Sequence, residues 1–251
     1  MSHWEILLFF LIIAFVYSSV GFGGGSSYLA VLAVYALPFQ EIRLTALTCN
    51  IIVVTGGTVI FIRNRQVYWK KIIPVAVLSV PMAYLGATLK LGQDAFFIIL
   101  GCSLTIAAAL LWIKTNSADA DVDYGKTRAN YLRDGFLGGA IGFLSGLVGI
   151  GGGIFLSPIL NLIKWDSPRK IAATASIFIL VNSVAGIAGQ MRNLPEDINF
   201  ARVLLLCAAV FIGGQIGSRM GALRFNQLVI RRLTAILVFL AGVEVLMKHL
   251  K

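Results

Sequence analysis

The sequence predicts an all-α integral membrane protein built from two homologous halves. Three observations carry that expectation. Apolar runs of about 17 to 23 residues recur along the chain, the length that crosses roughly 30 Å of hydrocarbon. The stretch Val20-Gly21-Phe22-Gly23-Gly24-Gly25-Ser26-Ser27 returns as Val148-Gly149-Ile150-Gly151-Gly152-Gly153, 128 positions later. Composition agrees: 58% of residues are hydrophobic and 13% charged, with mean hydropathy +0.88, where soluble domains carry roughly 25% charged residues.

Each glycine stretch interrupts an apolar run that resumes at once. A bilayer tolerates non-helical backbone at depth only where protein or a water-filled cavity satisfies its polar groups. The glycines therefore imply a cavity within the membrane. In the first copy, Trp4 to Tyr17 and Tyr28 to Leu37 flank the break, and Pro38 ends the second piece. A single helix over residues 4–37 would be about 51 Å long, too long for one comfortable crossing. Two shorter pieces meeting at a glycine turn, as a hairpin entering and leaving by one face, fit better.

Three plainer spans follow. Ile42 to Ile62 carries Thr45, Thr48, Cys49 and Asn50; Ile72 to Leu89 holds Pro74 and Pro81 and is expected to kink; Ala95 to Ile113 is the most uniformly apolar. The loop Arg63 to Lys71 is basic, with Tyr68 and Trp69 as interface anchors. Lys114 to Arg133 is the only long polar segment. Its Asp119, Asp121 and Asp123 lack the Gly and closing Glu of a calcium loop, so it reads as a solvated linker. The predicted organisation is a first membrane repeat over 1–113, a polar linker over 114–134 and a second repeat over 135–251.

The second repeat runs as Phe136 to Val148, the glycines, Ile154 to Ile163, Lys170 to Gln190, Arg202 to Ala222 and about Val229 to Met247. Ile42, Thr45-Ala46, Gly57 and Arg63-Asn64 fall on Ile171, Thr174-Ala175, Gly186 and Arg192-Asn193, all at an offset of 129, and Gly86 falls on Gly217 at 131. Identities at near-constant offset on glycine and polar positions mark a duplication, which many secondary transporters contain.

The +10 charge does not form one patch; the basic residues lie between the apolar runs, as membrane-edge Lys and Arg do. If each half is a glycine-tipped hairpin plus three crossings, 15 Lys and Arg fall on one side and 6 on the other. If each half makes four crossings, the split is 12 to 9. The first obeys the positive-inside rule, so inverted repeats with both termini outside are expected. No Lys or Arg precedes the first apolar run, so a cleaved signal peptide is not expected.

In that arrangement the tips enter from opposite faces and meet near the midplane. The helix leaving each tip points its N-terminus, with free N–H groups and partial positive charge, at the meeting place. Such a site takes an anion without a buried Lys or Arg. The candidate binding residues are Gly23, Gly24, Gly25, Ser26 and Ser27 of the first copy and Gly151, Gly152 and Gly153 of the second. From the following helices come Thr45, Thr48 and Cys49, which share one face, and Thr174 and Asn182 on the matching helix. Each of these side chains serves equally well as an interhelical hydrogen-bonding or packing group, and Cys49, Cys102 and Cys207 all read as buried small hydrophobes. Glu244, the main acid within a span, is the candidate for ion coupling, with interface pairing as its plainer role.

The paired V-G-[FI]-G-G-G stretches, each followed by an Ala/Thr-rich helix (Leu44-Thr45-Ala46-Leu47-Thr48 and Ala173-Thr174-Ala175-Ser176-Ile177), resemble the TauE/SafE sulfite exporter family over nearly the whole chain. The resemblance implies a multi-spanning transporter of the prokaryotic plasma membrane that moves sulfite or a related organosulfonate anion. A non-sulfur organic anion and a non-transporting assembly subunit are the alternatives. Expected partners are the solute, the lipid bilayer and, as an open possibility, a second copy in a homodimer. Nucleic acid, cofactor and metal are not expected, and no acid–base constellation points to an enzyme. A dinucleotide reading of Gly21-Phe22-Gly23 with Glu41 fails because no strand precedes it.

Overall fold

The structure, a computed structural model, describes residues 4–19, 21–35, 37–115, 130–193, 198–221 and 227–249. Among these the chain is helical, with no strand. The first half comprises α1 (Glu5–Ser19), α2 (Gly25–Val34), α3 (Phe39–Arg63), α4 (Trp69–Thr88) and α5 (Gln93–Thr115); the second comprises α6 (Tyr131–Val148), α7 (Gly153–Leu162), α8 (Pro168–Gln190), α9 (Phe200–Gly221) and α10 (Gln227–His249). Five of them, α3, α4, α5, α8 and α9, contain stretches long and apolar enough to cross a membrane. The Asp-rich segment 119–123 lies outside the described residues.

Both broken helices fold back as hairpins. Glu5 at the start of α1 accepts a 3.3 Å hydrogen bond from Tyr35 just past α2, and Phe10 stacks on Tyr28 at 4.6 Å between ring centroids. Asp134 in the first turn of α6 likewise accepts a 3.0 Å bond from the Trp165 indole beyond α7. An acid and an aromatic thus latch the open end of each hairpin. At ten residues apiece, α2 and α7 are about 15 Å long, half a hydrocarbon thickness.

The other helices pack through close backbone approach. Without a hydrophobic driving force between helices in lipid, small residues that let backbones touch supply the contact. On α6, Gly138, Gly142 and Gly146 lie in turn against Val75, Ser79 and Ala83 of α4. Both sets advance in the same direction, so the pair is parallel. The matching contact is that of α9 with α1, where Gly213 meets Leu11 and Gly217 meets the Phe15 carbonyl. Gly86 of α4 meets the Phe143 carbonyl of α6 in the same way, so the glycines aligned by sequence do one job twice. By contrast, α3 and α8 are antiparallel: Gly57 faces Ser176 and Gly186 faces Leu47. So are α5 and α10, where Gly101 meets Leu246 and Gly242 meets Leu104. Exchanging α1–α5 with α6–α10 maps each principal packing pair onto another or onto itself. α4 remains one helix through Pro74 and Pro81.

Charge sits mainly at one set of helix ends. Lys71, 7% exposed, binds Asp166 at 2.9 Å and the Trp165 carbonyl at 3.0 Å, with its ammonium 5.1 Å from the Trp165 ring centre. Lys170 approaches Asp166 at 3.4 Å, and Arg133 approaches Asp134 at 3.1 Å. This network ties α4, the base of the α6/α7 hairpin and α8 together. Burial alone would raise the Asp166 carboxyl, but the Lys71 hydrogen bond, the Ser167 amide and the two lysine charges hold it below the ordinary range.

Removing one partner of a buried ion pair strands the other charge. Asp166→Asn should therefore cost about 3–5 kcal/mol, read as a lowered melting midpoint in detergent, whereas Asp94→Asn at an exposed position should change little. Because the folded carboxyl titrates below its unfolded value of roughly 3.9, the contribution is intact above that pH and lost only as pH falls through the lower, folded value. A midpoint that declined between pH 7 and 5 in wild type but not in Asp166→Asn would contradict this.

Candidate functional site

The two glycine turns are built alike. Helix α1 closes when the amides of Gly21 and Phe22 bond back to the carbonyls of Ser18 (3.1 Å) and Tyr17 (2.9 Å); α6 closes when those of Gly149 and Ile150 bond to Ser145 (2.7 and 3.2 Å). The chain then enters α2 and α7 through Gly24 and Gly152, both left-handed with φ of +86° and +79°. Only glycine occupies that region without steric cost, so the sequence ends one helix at Ser19 or Val148 and starts the next at Gly25 or Gly153.

The turns touch each other. A Cβ on Gly25 would lie 2.6 Å from the Ile150 carbonyl oxygen. Asn50, fully buried at the middle of α3, stands between them: its Nδ2 donates to that same Ile150 oxygen at 2.9 Å, and its amide fills the space beside Gly23, Gly25 and Gly151. Ser176 of α8 donates to the Gly21 carbonyl at 2.7 Å. The first turns of α2 and α7, the positive ends of the helix dipoles, are thus brought to one buried place.

Around that place, buried polar atoms stand without partners. The Tyr28 hydroxyl lies against Gly24, the Ser145 side chain against Gly152, and the Ser183 hydroxyl and Asn50 against Gly151. Among the described residues, the Tyr28, Ser145 and Ser183 hydroxyls and Asn50 Oδ1 have no hydrogen-bond partner. Native interiors rarely leave such groups unsatisfied, and each asks for an explanation. Asn182, next to Ser183, is fully buried, and neither of its amide atoms has a partner among the described residues.

Of the other residues singled out by sequence, Ser26 and Ser27 are buried at the start of α2, where Ser27 pairs with Tyr17 at 2.7 Å. Thr45 is buried. Thr48 and Thr174 spend their hydroxyls on carbonyls of their own helices, Leu44 and Lys170, both at 2.8 Å. Cys49 is buried against the Cys207 thiol of α9. Cys102 is exposed, not buried as the sequence suggests; it lines an apolar cavity of about 480 Å³ between α5, α6 and α7 that offers little to an anion. Gly153 packs on Ile179. Glu244 is exposed on α10, and α10 packs chiefly on α5 and α2.

One side chain the sequence reading missed is Arg43. The expectation was an anion site without a buried cation, and Arg43 counted among membrane-edge basics. Instead it is 4% exposed and folded over the second turn, its stem against Gly149 and its guanidinium donating to the Gly146 carbonyl at 3.0 Å. The available signal was its spacing: Arg43, Leu47 and Asn50 fall at i, i+4 and i+7 on one helix face.

Comparison with known proteins gives a consistent picture. The family described as Sulfite exporter TauE/SafE matches residues 6–245. A probable membrane transporter protein of Sinorhizobium fredii, y4hK, is 30% identical over 237 residues, covering 94% of this chain and 95% of that one. A probable membrane transporter protein of Bacillus subtilis, YunE, is 25% identical over 242 residues, covering 87% and 88%. No solved structure matches the chain.

The turn geometry makes a testable demand. Gly24→Ala and Gly152→Ala force an L side chain into a left-handed conformation and should each cost about 1–2 kcal/mol. Gly92→Ala, where a Cβ meets nothing within 4 Å, should be neutral or slightly stabilising. Equal melting midpoints for all three variants would refute the assignment.

Proposed function

Because the chain belongs to the TauE/SafE family and is a multi-pass membrane transporter, we propose that it moves a small anion, sulfite or a related sulfur oxyanion, by alternating access around the paired glycine turns. One observation carries the reading: the N-termini of α2 and α7 meet at Asn50 among unpaired hydroxyls. Each helix N-terminus presents roughly half a positive charge, and buried hydroxyl donors add hydrogen bonds to an oxyanion without fixing it irreversibly. The neighbours of Gly21 and Gly149 differ, Ala172 in one case and Arg43 in the other, so the site is asymmetric although its scaffold is duplicated.

The antiparallel packing of α3 on α8 and of α5 on α10 supports inverted repeats. Had each broken helix crossed the membrane once, equivalent helices would run the same way. With hairpins entering from opposite faces, rocking of one repeat against the other opens the shared site to each side in turn. The 15-to-6 distribution of basic residues puts the Lys71–Asp166 network on the cytoplasmic side and Lys251 outside. Sulfur as the element rests on the family's description alone, and a small carboxylate is the competing solute.

Proteoliposomes loaded with labelled sulfite, sulfate, thiosulfate and methanesulfonate decide the solute. Flux of at least one is expected; flux of a cation or neutral solute with none of these moving defeats the anion reading, and flux of a carboxylate alone discards sulfur. A reporter active only in the cytoplasm, fused after Lys251, should be silent. Activity there would remove the inverted topology while leaving the anion site standing.

A further inference from the structure

Most buried charged side chains of the described fold face an opposite charge: Lys71 faces Asp166, Glu41 faces Arg202 and Asp134 faces Arg133. Arg43 has no such partner among the described residues. One of its terminal nitrogens serves two carbonyls, Gly146 at 3.0 Å and Ala87 at 3.5 Å; its guanidinium carbon lies 5.9 Å from the Phe96 ring centre; and its Nε has no partner among the described residues. A guanidinium carries five N–H donors in a fixed fork, so most of its capacity is unspent. Leaving such a group in the interior is costly unless something of opposite charge visits it.

Its position says what that visitor is. Arg43 and Asn50 lie on one face of α3, separated by seven residues, or about 10.5 Å of rise, and the second glycine turn spans the distance. Gly149 touches Arg43; Ile150 and Gly151 touch Asn50. The equivalent place at the first turn, against Gly21, is taken by Ala172. One turn is therefore charged and the other neutral. We propose that Arg43 forms a second anion subsite, one turn-length from the central cluster, where an oxyanion offers two oxygens to the guanidinium before or after it occupies the glycine site. This subsite, which rests on the anion reading above, makes the path selective for charge and favours a dianion over a monoanion of similar size. The neutral central site then allows release.

The test compares wild type, Arg43→Gln and Arg43→Lys in proteoliposomes, with sulfate and methanesulfonate as dianion and monoanion probes and sulfite alongside. Arg43→Gln should raise KM for the transported anions by about tenfold, the worth of a charged hydrogen bond, and more for the dianion. Arg43→Lys, which keeps charge but loses the fork, should fall between with kcat largely retained. If Arg43 only caps the end of α6, its loss lowers the melting midpoint and the amount of active protein, while KM and the dianion-to-monoanion ratio stay put; that result overturns the proposal. Should Arg43→Gln fail to insert, an unchanged KM and ratio in Arg43→Lys overturns it equally. Wild type moving neither these anions nor a small carboxylate overturns the anion reading itself, a separate failure visible before any variant is made.

Discussion

A peptide group in hydrocarbon has no water to bond, and the rest of this structure follows from satisfying it. Within helices the chain does so locally. At the glycine turns it does not, and the missing partners come from across the molecule. Ser176 of the second half serves the Gly21 carbonyl, Asn50 of the first half serves Ile150, and Arg43 of the first half serves Gly146. Each interruption is held by the first long helix of the opposite half. Isolated polar backbone at this depth would cost several kcal/mol per group, so neither hairpin is a finished unit alone. The crossing of α3 with α8 sits at the centre because those two helices carry the side chains that reach over.

Much of this was legible in the sequence. The spans, the breaks and the duplication follow from period, length and offset, and the glycines that align by number also align by contact, as Gly86 against Phe143 and Gly217 against Phe15 demonstrate. What could not be read was the destination of each polar side chain. Thr48 and Thr174 share helix faces with their neighbours, but a threonine within a helix has its own carbonyl four residues back within reach, and both take it. Arg43 looked like an interface cation because it opens a span beside Glu41. Only the third dimension places Gly149 over it and sends Glu41 to Arg202 instead. Asp134 with Trp165 was equally hidden, since nothing local pairs residues 31 apart.

Duplication explains the frame and departure from it explains the chemistry. Positions that serve the backbone are kept in both halves: left-handed glycines at either end of each turn, small residues in the parallel seams, an acid–aromatic latch at each open end. Positions that line the turns differ. Asn50 stands where Ile179 stands in the other half, and Ser183 where Val54 stands. Each of the two helices, α3 and α8, thus brings one polar and one apolar side chain to the turns, in opposite order.

The bond between Ser176 and Gly21 joins residues 155 apart. A ribosome delivers the first hairpin long before it delivers the serine that completes it. Until α8 enters the bilayer, the first turn must wait with an open carbonyl, sheltered by lipid headgroups, water or an insertion machine. Biogenesis of this protein is thus a matter of patience: a hairpin made early is among the last to settle, and a chain cut short after the first repeat leaves the membrane a hairpin with nothing to close upon.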